Sequence, residues 1–221
     1  MILKTRYETE ELKLLRYLNG RMHLPSKDYT HYLNLEKGYS GEKQFDKLLA
    51  DLPDEWIIIN DLLLEISHTI FQLDSLIITG DYLHVFEVKN FEGNFFIEQD
   101  RWYTASKTEV KNPLLQLQRS ESLLRRLLQE LGFKLPIISH LIFVNSEFYL
   151  YQAPLNLPAI FPAQINRFMD NLKNKSIAPN RRQMALAEKL ISLNLKETSY
   201  GRIPEYTFEE LEKGIKYKCQ R

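Results

Sequence analysis

Asp74, Glu87 and Lys89 are the residues whose types and spacing could do chemistry together. They lie on either side of Gly80-Asp81, between two runs rich in β-branched, aliphatic and aromatic residues. Such a dipeptide is favoured in two-residue hairpin turns, with glycine supplying a positive φ at the first position. A two-residue loop sets Thr79 opposite Tyr82, and counting outward sets Asp74 opposite Glu87. Directly opposed side chains have Cβ atoms about 4.5–5.5 Å apart. Lys89 shares the face of Glu87, while Phe86 and Val88 turn to the other face. Two acids facing each other across a sheet are destabilising unless something compensates. One compensation is a hard divalent cation, which takes oxygen ligands and, as Mg²⁺, is commonly held by carboxylates plus a substrate phosphate. A lysine beside it could neutralise phosphate charge or orient an attacking water. The other is a purely structural hairpin in which Lys89 bridges the two carboxylates.

The elements that must position these residues follow from periodicity and punctuation. A helix is expected over 9–20, with Leu12, Leu15 and Leu18 on one stripe and Gly20 at its end. Pro25 breaks the pattern, and His31–Leu35 reads as a short turn or strand. Ser40 suits the N-cap of a helix running to Leu52 and stopped by Pro53. Glu42, Phe45 and Leu49 share a face of that helix, where Glu42 alone reads as an acid favoured in a first turn. Trp56–Glu65 is an apolar strand, interrupted or re-aimed at Asn60-Asp61. After the hairpin, Asn94–Glu98 and Trp102-Tyr103 extend an antiparallel meander of four or five strands, which needs helical cover on its apolar face. A helix from Pro113 to Leu131 supplies it, with Asn112 as N-cap, Gly132 at C′ and leucines 114, 117, 124, 128 and 131 as its stripe. Ile137–Val144 returns as a buried strand beside the hairpin. Ala153–Pro162 reads as loop, followed by helices near 162–173, 180–194 and 206–213.

This order predicts an α/β fold, an α/β/α sandwich around a central mixed sheet with extra N- and C-terminal helices. The expected division is a helical extension over 1–37, a catalytic-type domain over 38–150 and a mostly helical extension over 151–221. Hydrophobic residues at 44% and charged residues at 26% are ordinary for a globular protein. No apolar run approaches a membrane span, and Met1–Arg6 lacks the features of a secretory leader, so the expected location is cytoplasmic. The single cysteine, Cys219, excludes an internal disulfide or a cysteine-built metal centre within the chain.

The formal net charge is zero, but its distribution is uneven. Residues 41–100 carry thirteen acidic against three basic side chains, and residues 101–140 carry seven basic against three acidic. An acidic cluster around a cation, flanked by basic segments that hold a phosphate backbone, would read this way; ordinary solvated charge would too. There is no GxxxxGK[ST] or GxGxxG loop, which argues against a nucleotide-triphosphate motor or a dinucleotide enzyme. The histidines at 23, 31, 68, 84 and 140 show no ligand spacing, and parity turns His84 away from the face of Glu87.

Asp74 followed by Glu87-Val88-Lys89 on the next strand resembles the D…ExK signature of the PD-(D/E)xK nuclease superfamily. The wider pattern is more specific. Gly38-Tyr39-Ser40-Gly41-Glu42, Gln72-Leu73-Asp74, Glu87-Val88-Lys89-Asn90 with Gly93, and Asn112-Pro113-Leu114-Leu115-Gln116 together resemble the nuclease-related domain (NERD) family over about residues 38–133. The resemblance implies a restriction-endonuclease-like fold and a metal-dependent nuclease acting on nucleic acid, with DNA the expected substrate and DNA processing or repair the expected setting. It implies Asp74, Glu87 and the Val88 carbonyl as ligands of Mg²⁺ or Mn²⁺, and Lys89 as the residue that orients or deprotonates water. It raises Glu42 to the metal or water network and Gln116 to water or substrate positioning, with Gln72 a weaker member of that network. The alternative is a nucleic-acid-binding module that keeps the fold without useful turnover.

Overall fold

The computed structural model describes residues 1–175, 177–195, 206, 207, 209, 211 and 212. The expected helix over 206–213 lies largely outside the described residues, and Cys219 lies wholly outside them. The chain divides into two compact units. The first comprises Met1–Arg6 and Gly41–Leu195, and the second comprises Tyr7–Ser40 with Lys196–Arg221.

The first unit is built on a six-stranded mixed sheet in the order β1-β2-β3-β4-β8-β10. Its strands are β1 (Ile2–Lys4), β2 (Ile57–Ile66), β3 (Thr69–Ile78), β4 (Leu83–Lys89), β8 (Ile137–Phe143) and β10 (Ala159–Ile160). The hairpin register is the expected one: Ser75 pairs with Phe86 and Ile78 with Leu83. β8 runs parallel to β4, with Glu87 beside Leu141 and Lys89 beside Phe143. Helix α3 (Pro113–Glu130) bridges the two strands, as parallel neighbours require.

The meander stops at three strands, contrary to the expected four or five. Strands β5 (Gly93–Glu98), β6 (Arg101–Thr104), β7 (Glu109–Val110) and β9 (Phe148–Tyr151) form a separate four-stranded sheet in the order β7-β6-β5-β9. The departure falls at Gly93, whose φ of 91° favours glycine. The expected loop before Pro162 contains the short β10, and its helix starts as a 3₁₀ turn (Pro162–Gln164) leading into α4 (Ile165–Lys175).

Helices cover both faces of the central sheet. Leu117, Leu124 and Leu128 of α3 and Leu186 and Leu190 of α5 (Arg181–Ser192) pack with Ile57, Leu76, Val85 and Leu141. On the other face, Phe45 and Leu49 of α2 (Ser26–Leu49) join Ile165 and Met169 against Ile58, Ile77, Phe86 and Ile142. The caps of α3 are as read: Asn112 accepts from Leu114 N–H at 2.9 Å. Phe133 N–H and Gly132 N–H then return to the Leu128 and Gln129 carbonyls, a Schellman closure with Gly132 at φ 75°.

Two local readings, the Ser40 cap and the positive φ of Gly80, are corrected. Ser40 caps nothing, because α2 runs unbroken from Ser26 through Gly38, Ser40 and Gly41 to Leu49. Gly41 serves a close approach instead: a Cβ there would fall 2.4 Å from Asn90 Cβ. Gly80 likewise lacks a positive φ. Thr79 holds the turn, donating to Asp81 Oδ1 at 2.8 Å and accepting from Tyr82 N–H at 3.1 Å. Glycine is required at position 80 because a Cβ there would meet the Ala178 carbonyl oxygen at 2.6 Å.

The second unit contains α1 (Glu10–Arg21), capped by Thr9, and the first part of α2. Leu12 and Leu15 are its buried stripe, and Arg16 reaches Glu36 at 2.5 and 2.9 Å. Among the described residues, no helix is long and apolar enough to cross a membrane.

Candidate active site

The site begins where the central sheet changes step. Residues on the α3 face of β2 are Ile57 and Ile59, then Leu62, Leu64 and Ile66. Those of β3 are Phe71 and Leu73, then Leu76 and Ile78. Strict alternation would keep one parity along each strand. Both strands therefore shift by one at the same place, Asn60-Asp61 and Asp74-Ser75, while their pairing register is kept. Asp61, at φ 58°, lies at the shift, and the pairs on either side, Asn60 with Ser75 and Leu62 with Leu73, set it across from Asp74.

The β3–β4 ladder ends at the same point. Thr79 N–H donates to the Tyr82 carbonyl. Hydrogen-bonded pairs alternate along an antiparallel ladder, so a continued one would bond Val88 to Leu73. Instead Val88 N–H donates to Asp74 Oδ2 at 2.8 Å. The N–H and C=O of one strand residue point the same way. The Val88 carbonyl is thus directed toward the Asp74 side.

Asp74 and Glu87 follow directly on the Ser75–Phe86 pair and are both buried, with relative exposures of 8% and 2%. Burial pushes the Asp74 carboxyl up from the usual range, and the Val88 N–H, Lys89 and Arg6 only partly oppose this. Burial and then the charge of Asp74 push Glu87 up to about 7, against the pull of Lys89 and Lys111. Glu42 is pushed up to about 8, by burial first and Asp74 second, with Arg6 opposing. Three acids thus share one field.

Lys89 Nζ donates to Glu87 Oε1 at 2.6 Å and to Gln116 Oε1 at 3.2 Å. This joins the end of β4 to the first turn of α3. Gln72 turns to Asp61, donating to its Oδ1 at 2.7 Å. Arg6 donates to Glu42 Oε2 at 2.6 Å and to the Asp74 carbonyl at 2.6 Å. It also reaches Asp46 Oδ2 at 3.2 Å. All five expected side chains therefore lie in one connected neighbourhood. His84 stands on the opposite face, as parity required, and is stacked on His140 with Nδ1 to Nε2 at 3.1 Å.

Sequence reasoning missed Arg6, Lys4, Asp46, Asp61 and Lys111. Asp46 was within reach, one helical turn beyond Glu42. Asp61 was flagged only as an interruption. No local signal marks Arg6.

Among the described residues, no group of three or more His, Cys, Asp and Glu stands in an arrangement that could hold a metal ion. The donors that fit a hard cation are two carboxylates and a backbone carbonyl. Their chemistry suits Mg²⁺ or Mn²⁺, and the shared burial of the two acids is a strain that a cation would relieve.

No curated protein matches the chain. Residues 37–144, just under half of the 221-residue chain, match the family model of the nuclease-related domain. This segment, which holds Glu42, Asp74, Glu87, Lys89 and Gln116, belongs to the nuclease-related domain family.

Proposed function

We propose that this protein is a metal-dependent nuclease of the PD-(D/E)xK type that hydrolyses phosphodiester bonds in nucleic acid, with DNA as substrate. The observation that carries the reading is the buried Asp74–Glu87 pair with Lys89 Nζ bridging Glu87 and Gln116. Asp74, Glu87 and the Val88 carbonyl would hold Mg²⁺ or Mn²⁺. When bound, such a cation supplies Lewis-acid polarisation of a phosphoryl oxygen and a lowered pKa for a coordinated water.

The chain's own side chains do the rest. Lys89 orients the attacking water and balances negative charge developing on the phosphate. Gln116 fixes the Lys89 ammonium through its Oε1. Glu42 accepts hydrogen bonds from water on the helix side of the site.

The test is cleavage of labelled single- and double-stranded DNA and RNA by the full chain with Mg²⁺ or Mn²⁺. Wild type should nick DNA, while Asp74→Ala and Lys89→Ala should lose cleavage with retained folding. A wild type that binds nucleic acid but never cuts it would establish a binding module.

A further inference from the structure

Arg6 lies outside the matched segment 37–144, yet it is built into the acid cluster. Its residue is only 6% exposed. All three guanidinium nitrogens are engaged. Nη1 meets Glu42 Oε2 at 2.6 Å, and Nε meets Asp46 Oδ2 at 3.2 Å. Nη2 meets Asp46 Oδ1 at 3.3 Å, the Asp74 carbonyl at 2.6 Å and Ser75 Oγ at 3.3 Å. Burial works against a charged guanidinium, but the Glu42 and Asp46 carboxylates outweigh it.

The short strand β1 brings Arg6 there. β1 pairs in parallel with β2, Lys4 beside Ile59, and Lys4 Nζ donates to the carbonyls of Asn60 and Asp61. Lys4 and Arg6 thus fasten the places where β2 and β3 change step. Arg6 touches Asp74 through its main chain, and the carboxylate oxygen Oδ2 is held separately by Val88 N–H.

We infer that Arg6 is a positioning residue for the cation site of the proposed nuclease, fixing the Asp74 main chain where β3 leaves β4 and holding Glu42 beside it. The inference rests on the nuclease reading. It makes the first six residues part of the functional unit. A planar fork with donors on three nitrogens can serve two carboxylates and a carbonyl at once; a lysine ammonium cannot hold that geometry. Outer-shell partners of ligands typically contribute about 10–100-fold to metal affinity.

The test is calorimetric titration of the full chain with Mn²⁺, without nucleic acid, alongside thermal melting. Arg6→Lys keeps the charge and removes the fork. It should melt cooperatively yet bind Mn²⁺ about tenfold more weakly or worse. Arg16→Lys, in the Arg16–Glu36 pair of the second unit, serves as control and should bind like wild type. Arg6→Ala should bind more weakly still; if it fails to fold, Arg6→Lys decides. An unchanged affinity in Arg6→Lys would make Arg6 merely structural, and a tighter one would make it a competing counter-ion; either overturns the inference alone. A wild type that binds no Mn²⁺, or an Asp74→Ala variant that binds as wild type does, overturns the nuclease reading and this inference together.

Discussion

Asp74 Oδ2 accepts the amide hydrogen of Val88 at 2.8 Å, so a side chain completes the ladder at the point where the backbone stops doing so. Asp74 therefore has a structural role separable from its charge. Asp74→Asn keeps an acceptor for Val88 N–H and removes a buried ionisable group. Asp74→Ala leaves that N–H unpaired, at a cost of about 1–3 kcal/mol. Urea unfolding at pH 8 without divalent cations should place Asp74→Asn at or above wild type and Asp74→Ala below it. Equal destabilisation of both would show that the hydrogen bond is not what matters. Both variants should lose Mn²⁺ binding.

Stability should depend on pH in two opposite ways. Glu87 and Glu42 have folded pKa values raised to about 7 and about 8. Between the ordinary carboxylate range and those values the folded chain binds more protons than the unfolded one. Stability from these groups is then lost as pH rises through that window. His84 and His140 are lowered by burial to about 4 and about 3. Their contribution is full above about pH 6.5 and is lost as pH falls. Without cations, chemical denaturation should therefore show stability declining between about pH 6.5 and 8, by about 1–3 kcal/mol. Glu87→Gln should flatten that limb, and saturating Mn²⁺ should reverse it. A wild-type curve that rises toward pH 8 would contradict the assignment.

Two glycines of α2 should respond oppositely to alanine. A Cβ at Gly38 meets nothing within 4 Å, whereas at Gly41 it would meet Asn90 Cβ at 2.4 Å. Gly38→Ala should gain up to about 1 kcal/mol from helix propensity. Gly41→Ala should lose about 1–3 kcal/mol through overpacking and displace Asn90, the neighbour of Lys89. Thermal melting of the pair checks this, and a stabilised Gly41→Ala would disprove the close approach.

Lys89 and Gln116 should act as one unit. Lys89→Ala should cut cleavage by about 10²–10⁴-fold, and Gln116→Ala by roughly tenfold. Because Gln116 acts through the Lys89 ammonium, its loss should add little in the Lys89→Ala background. A double-mutant cycle measures this coupling. Fully additive effects would mean that Gln116 meets water or substrate independently.

The hairpin, its register and the helix from Pro113 were legible because each rests on local chemistry: a two-residue turn, period-two alternation and matched caps. The path of α2 was not, since Gly38, Ser40 and Gly41 are loop residues by propensity, and only packing against Asn90 explains glycine at position 41. The second sheet was hidden for a similar reason. An alternating strand looks the same whether it extends one sheet or begins another. Asp74, Glu87, Lys89 and Gln116 could be placed from turn, strand and helix rules with family motifs. Arg6 could not, because its partners Glu42 and Asp74 are distant in sequence and meet it only through the pairing of β1 with β2.

Glu87 and Val88 sit on β4, an inner strand with an antiparallel neighbour on one side and a parallel one on the other. Backbone amides in such a position exchange with solvent only through openings that approach global unfolding. Deuterium uptake should thus be slowest around Val85–Glu87, giving the site a stiff floor. On the proposed nuclease reading, any fitting to a scissile linkage must come from the surrounding loops and side chains, so chain mobility and chemistry fall to different parts of the molecule.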